Sequence, residues 1–536
     1  MRLTTTSTQQ RARYTFAAAL ALGFGCADAQ ASFASSVSLS FEGISQYDAA
    51  SFGRNFIPPD TMGAVGSSQY LEVANGAYAV FDKTTGSRQS LVSDVAFWNT
   101  AGQTGTSGDS RVMYNAAANR WIVTSLGMNA KDLQIAVSDT SNALGAWKST
   151  KFEGYPGLGF GSIADYPTLA LDRNAVYINT NNYAPATAGG SDDFRGTTLN
   201  VIPIDSLFNA TAPTIENSKQ FTTPYTASSF TNFDRGFTQQ GVNSNSAGST
   251  GKVLASSINF YDNLGFNVND LSSTSATGST VTTPVRSGLA AFTEAGAARQ
   301  PAVTVPANQR VIDAGDRRTS SSVYEAGGRI YAVNTVNSTA DGLDEARIRY
   351  SVLDANTFTL ISQGDIGRAG YDYYQGSIGV NAAGKVVIGY NRSGLDPATG
   401  NISFLAQTFD TAADGSLRST SAEILLKQSL TDDYHNGSVY GAAASGGQRW
   451  GDYSAISLDP TDPNKFYAIG EFAREYDLPE FGHPGGSGSS RWGTWIAAID
   501  VSTPIATAVP EPLGMAGTLI GGVAVLALRK RLKVKN

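Results

Sequence analysis

Residues 449–472 read RWGDYSAISLDPTDPNKFYAIGEF, and this pattern recurs along the chain. Ile456 and Leu458 alternate with Ser457 and Asp459, which is the two-residue period of a pleated strand. Residues 460–464, PTDPN, then carry the proline, aspartate and asparagine typical of a tight turn, and strand-forming residues follow. The segment therefore predicts two strands joined by a turn. Because one hairpin cannot bury its apolar face alone, we expect other copies to pack against it.

Weaker copies of this hairpin lie along most of the chain, and several begin with the same Gly-Asp or Asp-Tyr pair. They are residues 60–74, 108–125, 162–180, 239–256, 315–333 and 374–390. The copies give about seven units spaced roughly 50 to 80 residues apart, compared with about 40 to 50 in familiar propeller repeats. Recurrence of this kind predicts an all-β repeat fold in which each sheet seals its neighbour.

The fold class predicted is a β-propeller of seven blades, with six blades as the next choice. Any all-β chain produces some hairpins, so a β-sandwich or a β-helix stays open as an alternative. The shared start of the copies favours the propeller. One further strand, predicted over residues 38–44, could close the ring beside the last blade. Residues 209–237 and 262–310 are rich in Ser, Thr, Ala and Gly, and we expect surface loops or insertions there.

The composition narrows the class of protein. The chain has 536 residues, of which 57 are glycine and only 15% are charged. That balance is typical of a turn-rich extracellular β protein rather than a helical cytosolic enzyme. The formal net charge is −7, with no basic patch outside the termini, so a nucleic-acid partner is not expected.

The N-terminus predicts a secretory signal over residues 1–31. Basic residues precede the apolar run 16–24, FAAALALGF, and small residues follow at 27–31. The only cysteine, Cys26, lies inside this segment. A lipoprotein cysteine is the alternative reading, although the residues before it lack the usual leucine. Removal of the signal would leave a mature chain without disulfides.

The C-terminus has three parts in a fixed order within the predicted tail, residues 506–536. A short motif precedes an apolar run, residues 513–528. This run has about the minimum length that can span a membrane. The motif is Val509, Pro510, Glu511 and Pro512, and the basic tail after the run is Arg529, Lys530, Arg531 and Lys533. The positive-inside rule would hold the basic residues in the cytoplasm.

This tail resembles the PEP-CTERM sorting signal of Gram-negative bacteria, which exosortases process. The resemblance implies that the body is exported through the inner membrane, held there transiently by its tail, cut near the motif, and released to the cell surface or extracellular matrix. An ordinary single-span membrane anchor is the alternative reading. The resemblance covers about the last 28 residues of the chain.

The predicted propeller domain is residues 32–505, and within it a patchy likeness over roughly residues 40 to 500 resembles secreted bacterial propellers that are distantly sialidase-like. The likeness rests on four segments: FIPPDTMGAVG at 56–66, GDSRVMYN at 108–115, RWGDYSA at 449–455, and RWGTWIAAID at 491–500. These motifs are structural, so the resemblance implies the fold more than an activity.

The chain offers little for metal chemistry. His435 and His483 are the only histidines, and neither has a second histidine or a cysteine nearby, which a zinc site would need. His435 is expected on an exposed loop. No cofactor is predicted. Calcium stays possible at acidic loops, although solvated turn aspartates are favoured there. The acidic loops are Asp192-Asp193, Asp432-Asp433, and Asp341 with Asp344.

Three arginines recur beside aspartates at comparable places in separate copies. The pairs are Arg111 with Asp109, Arg317 with Asp316, and Arg449 with Asp452. They could line an axial face and bind a substrate carboxylate, or each pair could clasp neighbouring blades. The clasp is favoured because the pairing recurs with the fold. No Gly-x-Ser-x-Gly elbow occurs ahead of a helix, and a triad would have to use one of the two histidines.

The function predicted is an exported surface or matrix propeller that binds glycan, such as exopolysaccharide, or protein partners. Tryptophans at 98, 147, 450 and 492 could supply stacking surfaces, whereas Trp121 and Trp495 are expected in the core. Whether the protein is an enzyme stays open, with binding favoured. The alternative is a hydrolase or lyase acting on glycans, which would require two carboxylates across a cleft. A self-assembling surface-layer component is a third possibility.

Overall fold

In the residues that the structure describes, the chain is built mostly from antiparallel strands, with three short α-helices. The computed structural model describes residues 35–156, 162–184, 193–208, 211–225, 235–258, 261–301, 311–315, 317–338, 344–435, 437–439, 447–483 and 489–501. The helices are α1 (Gln46–Ser51), α2 (Asp94–Thr100) and α3 (Ile204–Phe208). The predicted signal, Cys26, the sorting motif and the basic tail lie outside the described residues. In the part described, no helix is both long and apolar enough to cross a bilayer.

The first three sheets follow one another along the chain. Sheet 1 contains β2 (Met62–Val65), β3 (Gln69–Ala74), β4 (Ala77–Asp82) and β5 (Arg88–Ser93). Sheet 2 contains β6 (Gly108–Asn115), β7 (Arg120–Leu126), β8 (Asp132–Ser138) and β9 (Trp147–Glu153). Sheet 3 contains β10 (Ile163–Asp165), β11 (Ala170–Leu171), β12 (Ala175–Ala184), β13 (Asp193–Pro203) and β14 (Lys219–Pro224).

The next two sheets are joined by a short parallel pairing. Sheet 4 contains β15 (Phe237–Asn243), β16 (Gly251–Ser256), β17 (Asn263–Asn269), β18 (Thr280–Val281) and β19 (Val285–Arg286). Two short strands, β20 (Ala297–Ala298) and β21 (Ile312–Asp313), pair with each other. Sheet 5 contains β22 (Val323–Ala326), β23 (Arg329–Ser338), β24 (Glu345–Asp354) and β25 (Leu360–Ile366). Val242 and Asn243 pair with Val323 and Tyr324 to connect sheets 4 and 5.

The last two sheets bring the chain back to its start. Sheet 6 contains β26 (Tyr371–Val380), β27 (Lys385–Gly394), β28 (Ser403–Thr411), β29 (Leu417–Ser419) and β30 (Ile424–Gln428). Sheet 7 contains β31 (Ala455–Leu458), β32 (Lys465–Tyr476), β33 (Ser490–Asp500) and the N-terminal strand β1 (Ser36–Ser45). The strand predicted near the N-terminus therefore does complete the last sheet, pairing Phe41 with Ile496. This pairing covers an edge that would otherwise be exposed.

The apolar cores lie between neighbouring sheets, as expected for sheets that seal one another. Tyr177 and Val253 belong to a core shared by sheets 3 and 4, and Ile348 and Ile388 to one shared by sheets 5 and 6. β2 contacts both β31 and β32, so sheet 1 also packs against sheet 7. The contacts between neighbouring sheets therefore run from sheet 1 to sheet 7 and from sheet 7 back to sheet 1. The described chain is an all-β, propeller-like ring.

The sequence located the hairpins better than the loops. Each of the seven repeat copies coincides with the first hairpin of a sheet, for example Ser457 paired with Tyr467 and Met113 with Ile122. The expectation of loops over residues 209–237 and 262–310 is wrong in part. β14 lies in the first range, and β17 to β20 lie in the second. β14, β18 and β19 alternate weakly because they lie partly exposed at the outer edges of sheets 3 and 4.

Candidate functional site

The entries to the first strands share an unusual backbone conformation. A non-glycine residue with positive φ lies just before, within or just after the first strand of sheets 1, 2, 3, 4 and 6. These residues are Asp60, Asp109, Tyr166, Thr238 and Gln375. In sheets 2, 4 and 6 the strand register shifts at the same point. A bulge of this kind re-aims a side chain, and positive φ is uncommon for residues other than glycine.

Polar residues of the preceding sheet hold these entries in place. The Asn75 side-chain oxygen accepts a hydrogen bond from the Asp109 backbone N–H at 2.8 Å. In the same way, Asn181 accepts from Thr238 at 2.7 Å, and the Ser256 hydroxyl accepts from the backbone of Thr319 at 3.0 Å. Backbone groups freed by the bulges are therefore satisfied by side chains from the neighbouring sheet.

A plug of three buried side chains, Arg111, Tyr166 and Tyr453, fills the centre where the first strands meet. The Tyr166 and Tyr453 rings pack edge to face with centroids 4.7 Å apart, and the Arg111 guanidinium carbon lies 3.5 Å from the Tyr453 centroid. Arg111 in sheet 2 donates to the backbone oxygen of Ser320 at the entry to sheet 5, at 3.1 Å. Since these sheets are not neighbours, the contact crosses the ring.

Four carboxylates gather beside the plug, and we call Asp60, Asp109, Asp165 and Asp452 the axial carboxylates. Asp60 accepts the backbone N–H of Asp452 at 2.8 Å and the Asn75 amide at 2.8 Å. Asp109 accepts the Tyr453 hydroxyl at 3.3 Å. Asp60 is buried, whereas the other three keep partial access to solvent. The group is therefore partly accessible to solvent.

Burial and mutual repulsion change the acidity of the axial carboxylates. Burial, followed by the charges of Asp165 and Asp452, raises the pKa of Asp109 to about 7. Burial and the same kind of repulsion raise the pKa of Asp60 well above its ordinary value. Burial also raises the pKa of Asp165, against the opposing effect of Arg318. Near neutral pH the group can therefore hold protons that isolated aspartates would release.

Two guanidinium groups border the axial carboxylates. Arg449 pairs with Asp452 at 2.9 Å, and its side chain is 46% exposed. Arg318 lies over the Tyr166 ring, with its guanidinium carbon 4.2 Å from the centroid. The axial site, as we use the term, comprises the axial carboxylates, Arg318, Arg449 and the plug. It presents hydrogen-bond donors and acceptors side by side, next to the buried plug.

The arginines of the three predicted arginine–aspartate pairs make different contacts in the structure. Arg449 and Asp452 form the ion pair described above. Arg111 instead donates to the backbone oxygens of Pro167 and Ser320 and stacks on Tyr453. Arg317 pairs with Glu294 at 3.2 Å, and Asp316 lies outside the described residues. The recurring motif therefore does not produce one recurring clasp.

Sequence reasoning did not select Asp60, Asp165, Tyr166 or Tyr453 as site residues. Asp165-Tyr166 and Asp452-Tyr453 were visible as matching starts of two repeat copies, and Asp60 opens another copy. That recurrence was the available signal. Its meaning depends on three separate hairpins that converge in space, which spacing along the chain does not reveal.

The histidines differ from each other and, in one case, from expectation. His435 is buried at 1% exposure and its ring contacts the Asp433 carboxylate, so its predicted place on an exposed loop is wrong. His483 stacks on Tyr47 with centroids 4.0 Å apart. Of the acidic loops, Asp432 accepts the Tyr476 hydroxyl, while Asp192 and Asp341 are not described. Within the described ranges, no three His, Cys, Asp or Glu side chains are grouped to hold a metal.

The tryptophans are not a stacking surface. Trp98, Trp121, Trp450 and Trp492 are completely buried. Trp147 and Trp495 are partly buried and pack against the cores. The indole N–H of Trp98 donates to Tyr78, and that of Trp450 donates to Asn391. The prediction of exposed tryptophans for binding is therefore wrong, because the indoles fill space between sheets.

The chain has no match among protein-family models and none among curated protein sequences. Three solved structures illustrate its distant likenesses. A protein of unknown function from Dyadobacter fermentans is 12% identical, with 87% of this chain and 99% of that chain covered and a TM-score of 0.38. The Trypanosoma rangeli sialidase is 10% identical, with 71% and 53% covered and a TM-score of 0.32. Drosophila semaphorin 1a is 10% identical, with 87% and 88% covered and a TM-score of 0.37. All three TM-scores are low, so the fold and the site rest on the contacts described above.

Proposed function

We propose that this chain is an exported β-propeller of seven blades whose axial site binds glycan. The observation that carries the binding proposal is the axial site itself. Partly exposed carboxylates and guanidinium groups lie side by side there, beside the buried plug. Sugar hydroxyls both donate and accept hydrogen bonds, so they match such a mixed surface.

Seven blades follow from treating sheets 1 to 7 as one blade each. Whether the blades number six or seven depends on sheets 4 and 5, because Val242 and Asn243 bridge them. Each nevertheless has its own antiparallel hairpin, and an apolar core containing Leu254 and Ile330 lies between the two. Neighbouring sheets elsewhere in the ring also pack against each other across such an apolar core, so sheets 4 and 5 count as two blades.

The binding proposal is tested on a glycan array with the full chain and two matched variants. D452N removes an axial charge, whereas D500N removes an aspartate of similar exposure that pairs with Lys465 in the same sheet. We expect the parent and D500N to retain the same glycans, and D452N to lose at least about tenfold in affinity. An array that retains no glycan, or retention by D452N equal to the parent, would overturn the proposal.

A glycan hydrolase is the second candidate, and the raised pKa of Asp109 favours it. A carboxylic acid still protonated near neutral pH, beside other carboxylates, is the arrangement that acid–base cleavage of a glycoside needs. Turnover of the array-positive glycans should then fall as the pH rises through about 7, and D109N should abolish turnover while binding persists. Binding with no turnover in the parent would leave the binding function alone.

Export and sorting are the second part of the proposal and rest on the two termini. The signal at 1–31 would direct export, and an exosortase would process the tail at 506–536 after a transient stay in the inner membrane. The mature protein would then reach the cell surface or an exopolysaccharide matrix. Fractionation of the producing cells tests this. Replacing Pro510, Glu511 and Pro512 by alanine should leave the protein in the membrane fraction, and release unchanged by that replacement would contradict the sorting route.

A further inference from the structure

A cavity that contains none of the axial-site residues lies between sheets 5 and 6. Its volume is about 430 Å³, within the range of about 300 to 1,000 Å³ typical of small-molecule sites. Its walls come from β24, β25, β26 and β28 and from the loop that links sheet 5 to sheet 6. All of its lining residues belong to the described part of the chain.

Aromatic rings form one wall of this cavity. Tyr350 from sheet 5 and Phe409 from sheet 6 face each other with centroids 5.7 Å apart, and Tyr373 lies deeper. Gly364 makes room for the Tyr350 ring, because a Cβ at that position would lie 2.3 Å from the Tyr350 hydroxyl. Burial raises the pKa of Tyr350, and burial together with Glu423 raises that of Tyr373 to about 12. The phenols therefore stay protonated and can donate hydrogen bonds.

The acidic residues that line the cavity are already neutralised by arginines. Asp365 receives two hydrogen bonds from Arg349, at 2.7 and 2.8 Å. Glu423 receives one from Arg392 at 2.5 Å and one from the Tyr390 hydroxyl at 3.3 Å. These carboxylates can still accept hydrogen bonds from a ligand, but they do not make the cavity strongly negative.

Arg368 gives the cavity its remaining charge. It lies on the exposed loop at the rim, and its guanidinium carbon lies 4.2 Å from the Tyr371 ring centroid. Among the described residues, no carboxylate lies within ion-pair distance of Arg368. A guanidinium stacked on a ring keeps its N–H edge available, and that edge matches a carboxylate in two-point contact.

We propose that this cavity binds an acidic saccharide, with the sugar ring packed against Tyr350 and Phe409 and the sugar carboxylate bound by Arg368. The aromatic wall suits the C–H face of a pyranose, and Gln407, Asp365 and Glu423 suit its hydroxyls. The cavity contains none of the axial-site residues. Disproof of binding at one site would therefore leave the proposal for the other site standing.

Isothermal titration calorimetry on the full chain tests this with three probes. The probes are trigalacturonic acid, the neutral trimer maltotriose, and the acidic peptide triglutamate. We expect saturable binding of trigalacturonic acid only. R368Q should weaken it at least about tenfold. Arg368 is exposed, so this change should not disturb folding, which a thermal melt checks.

Matched variants separate the ring contact from the charge. Y350A should lose binding, whereas Y350F, which keeps the ring, should retain most of it. D500N, which lies in neither site and serves as the neutral control on the glycan array, should bind trigalacturonic acid like the parent. Absence of trigalacturonic acid binding in the parent, equal binding of it by R368Q, or equal binding of maltotriose or triglutamate that is lost in Y350A would each overturn the proposal.

Discussion

The axial site and the seam between sheets 7 and 1 both bury charged groups, but they treat them differently. At the seam, Lys83 donates to both carboxylate oxygens of Asp459, at 2.8 and 3.0 Å, and to the Thr461 hydroxyl at 2.8 Å. Lys83 and Asp459 therefore each have an opposite charge as partner. At the axial site, by contrast, burial and neighbouring carboxylates raise the pKa values of Asp60, Asp109 and Asp165.

The contrast separates charges that close the ring from charges that are available for a ligand. Fully partnered groups such as Lys83 and Asp459 satisfy each other and offer nothing to solvent. A cluster of like charges destabilises the fold, and its partial exposure leaves it open to a ligand. Perturbed carboxyl groups that meet at an open end are therefore better evidence for a binding site than buried charges in general.

Breaking the seam pair should have the largest effect. K83M leaves Asp459 buried without its partner, so we expect the free energy of unfolding to fall by about 3 to 5 kcal/mol. Urea denaturation followed by tryptophan fluorescence measures this. The control is K465M in the same sheet, whose pair with Asp500 is exposed, and about 1 kcal/mol or less should be lost there. Equal losses in both variants would show that the seam pair has no special role.

The seam also contains the lone carboxyl group of Glu72, and its removal should have an intermediate effect on the free energy of unfolding. Glu72 accepts hydrogen bonds from the Ile44 backbone at 3.0 Å and the Thr494 hydroxyl at 2.6 Å, and burial raises its pKa to about 8. The folded chain therefore keeps a proton that the unfolded chain releases, so stability falls as the pH rises from about 4.5 to about 8.

E72Q should remove that dependence on pH. We expect a gain over the parent that grows across this interval to about 2 kcal/mol, measured as the difference in thermal midpoint at pH 5 and pH 8. E42Q is the control, since Glu42 lies on β1 with its side chain 40% exposed. A gap between E72Q and the parent that stays constant with pH would contradict a proton held at Glu72.

The smallest effect is expected at the axial site, and its sign is opposite to that of K83M. D109N removes one of the repelling carboxylates while its amide oxygen can still accept from Tyr453. Because the raised pKa of Asp109 makes the folded chain hold a proton, the gain in stability should grow from pH 3.8 to about 7 and then level off. About 1 kcal/mol is expected, since partial exposure screens the charges. Destabilisation by D109N at pH 8 would mean that Asp109 is a structural partner.

The fold was largely predictable because its signals are local. Alternation in residues 449–472 and a turn built on Asp459 and Asn464 identify the hairpin within 24 residues. The axial site was not predictable in the same way. The hydrogen bond from Asp452 to Asp60 joins residues 392 positions apart, and Arg111 reaches Ser320 across 209 positions. Arg111 and Arg449 both lie near a Gly-Asp pair at the start of a repeat copy. In the structure, Arg111 belongs to the plug and Arg449 borders the axial carboxylates, and the motif could not distinguish these two positions.

Strand period, turn chemistry and recurrence were written into the sequence, because each depends on residues close together in the chain. Which aspartates meet, which of them stay protonated, and which tryptophans are hidden depended on closure of the ring. Closure brings distant hairpins into contact and removes water from between them, and pKa values and burial respond to that environment rather than to neighbours along the chain.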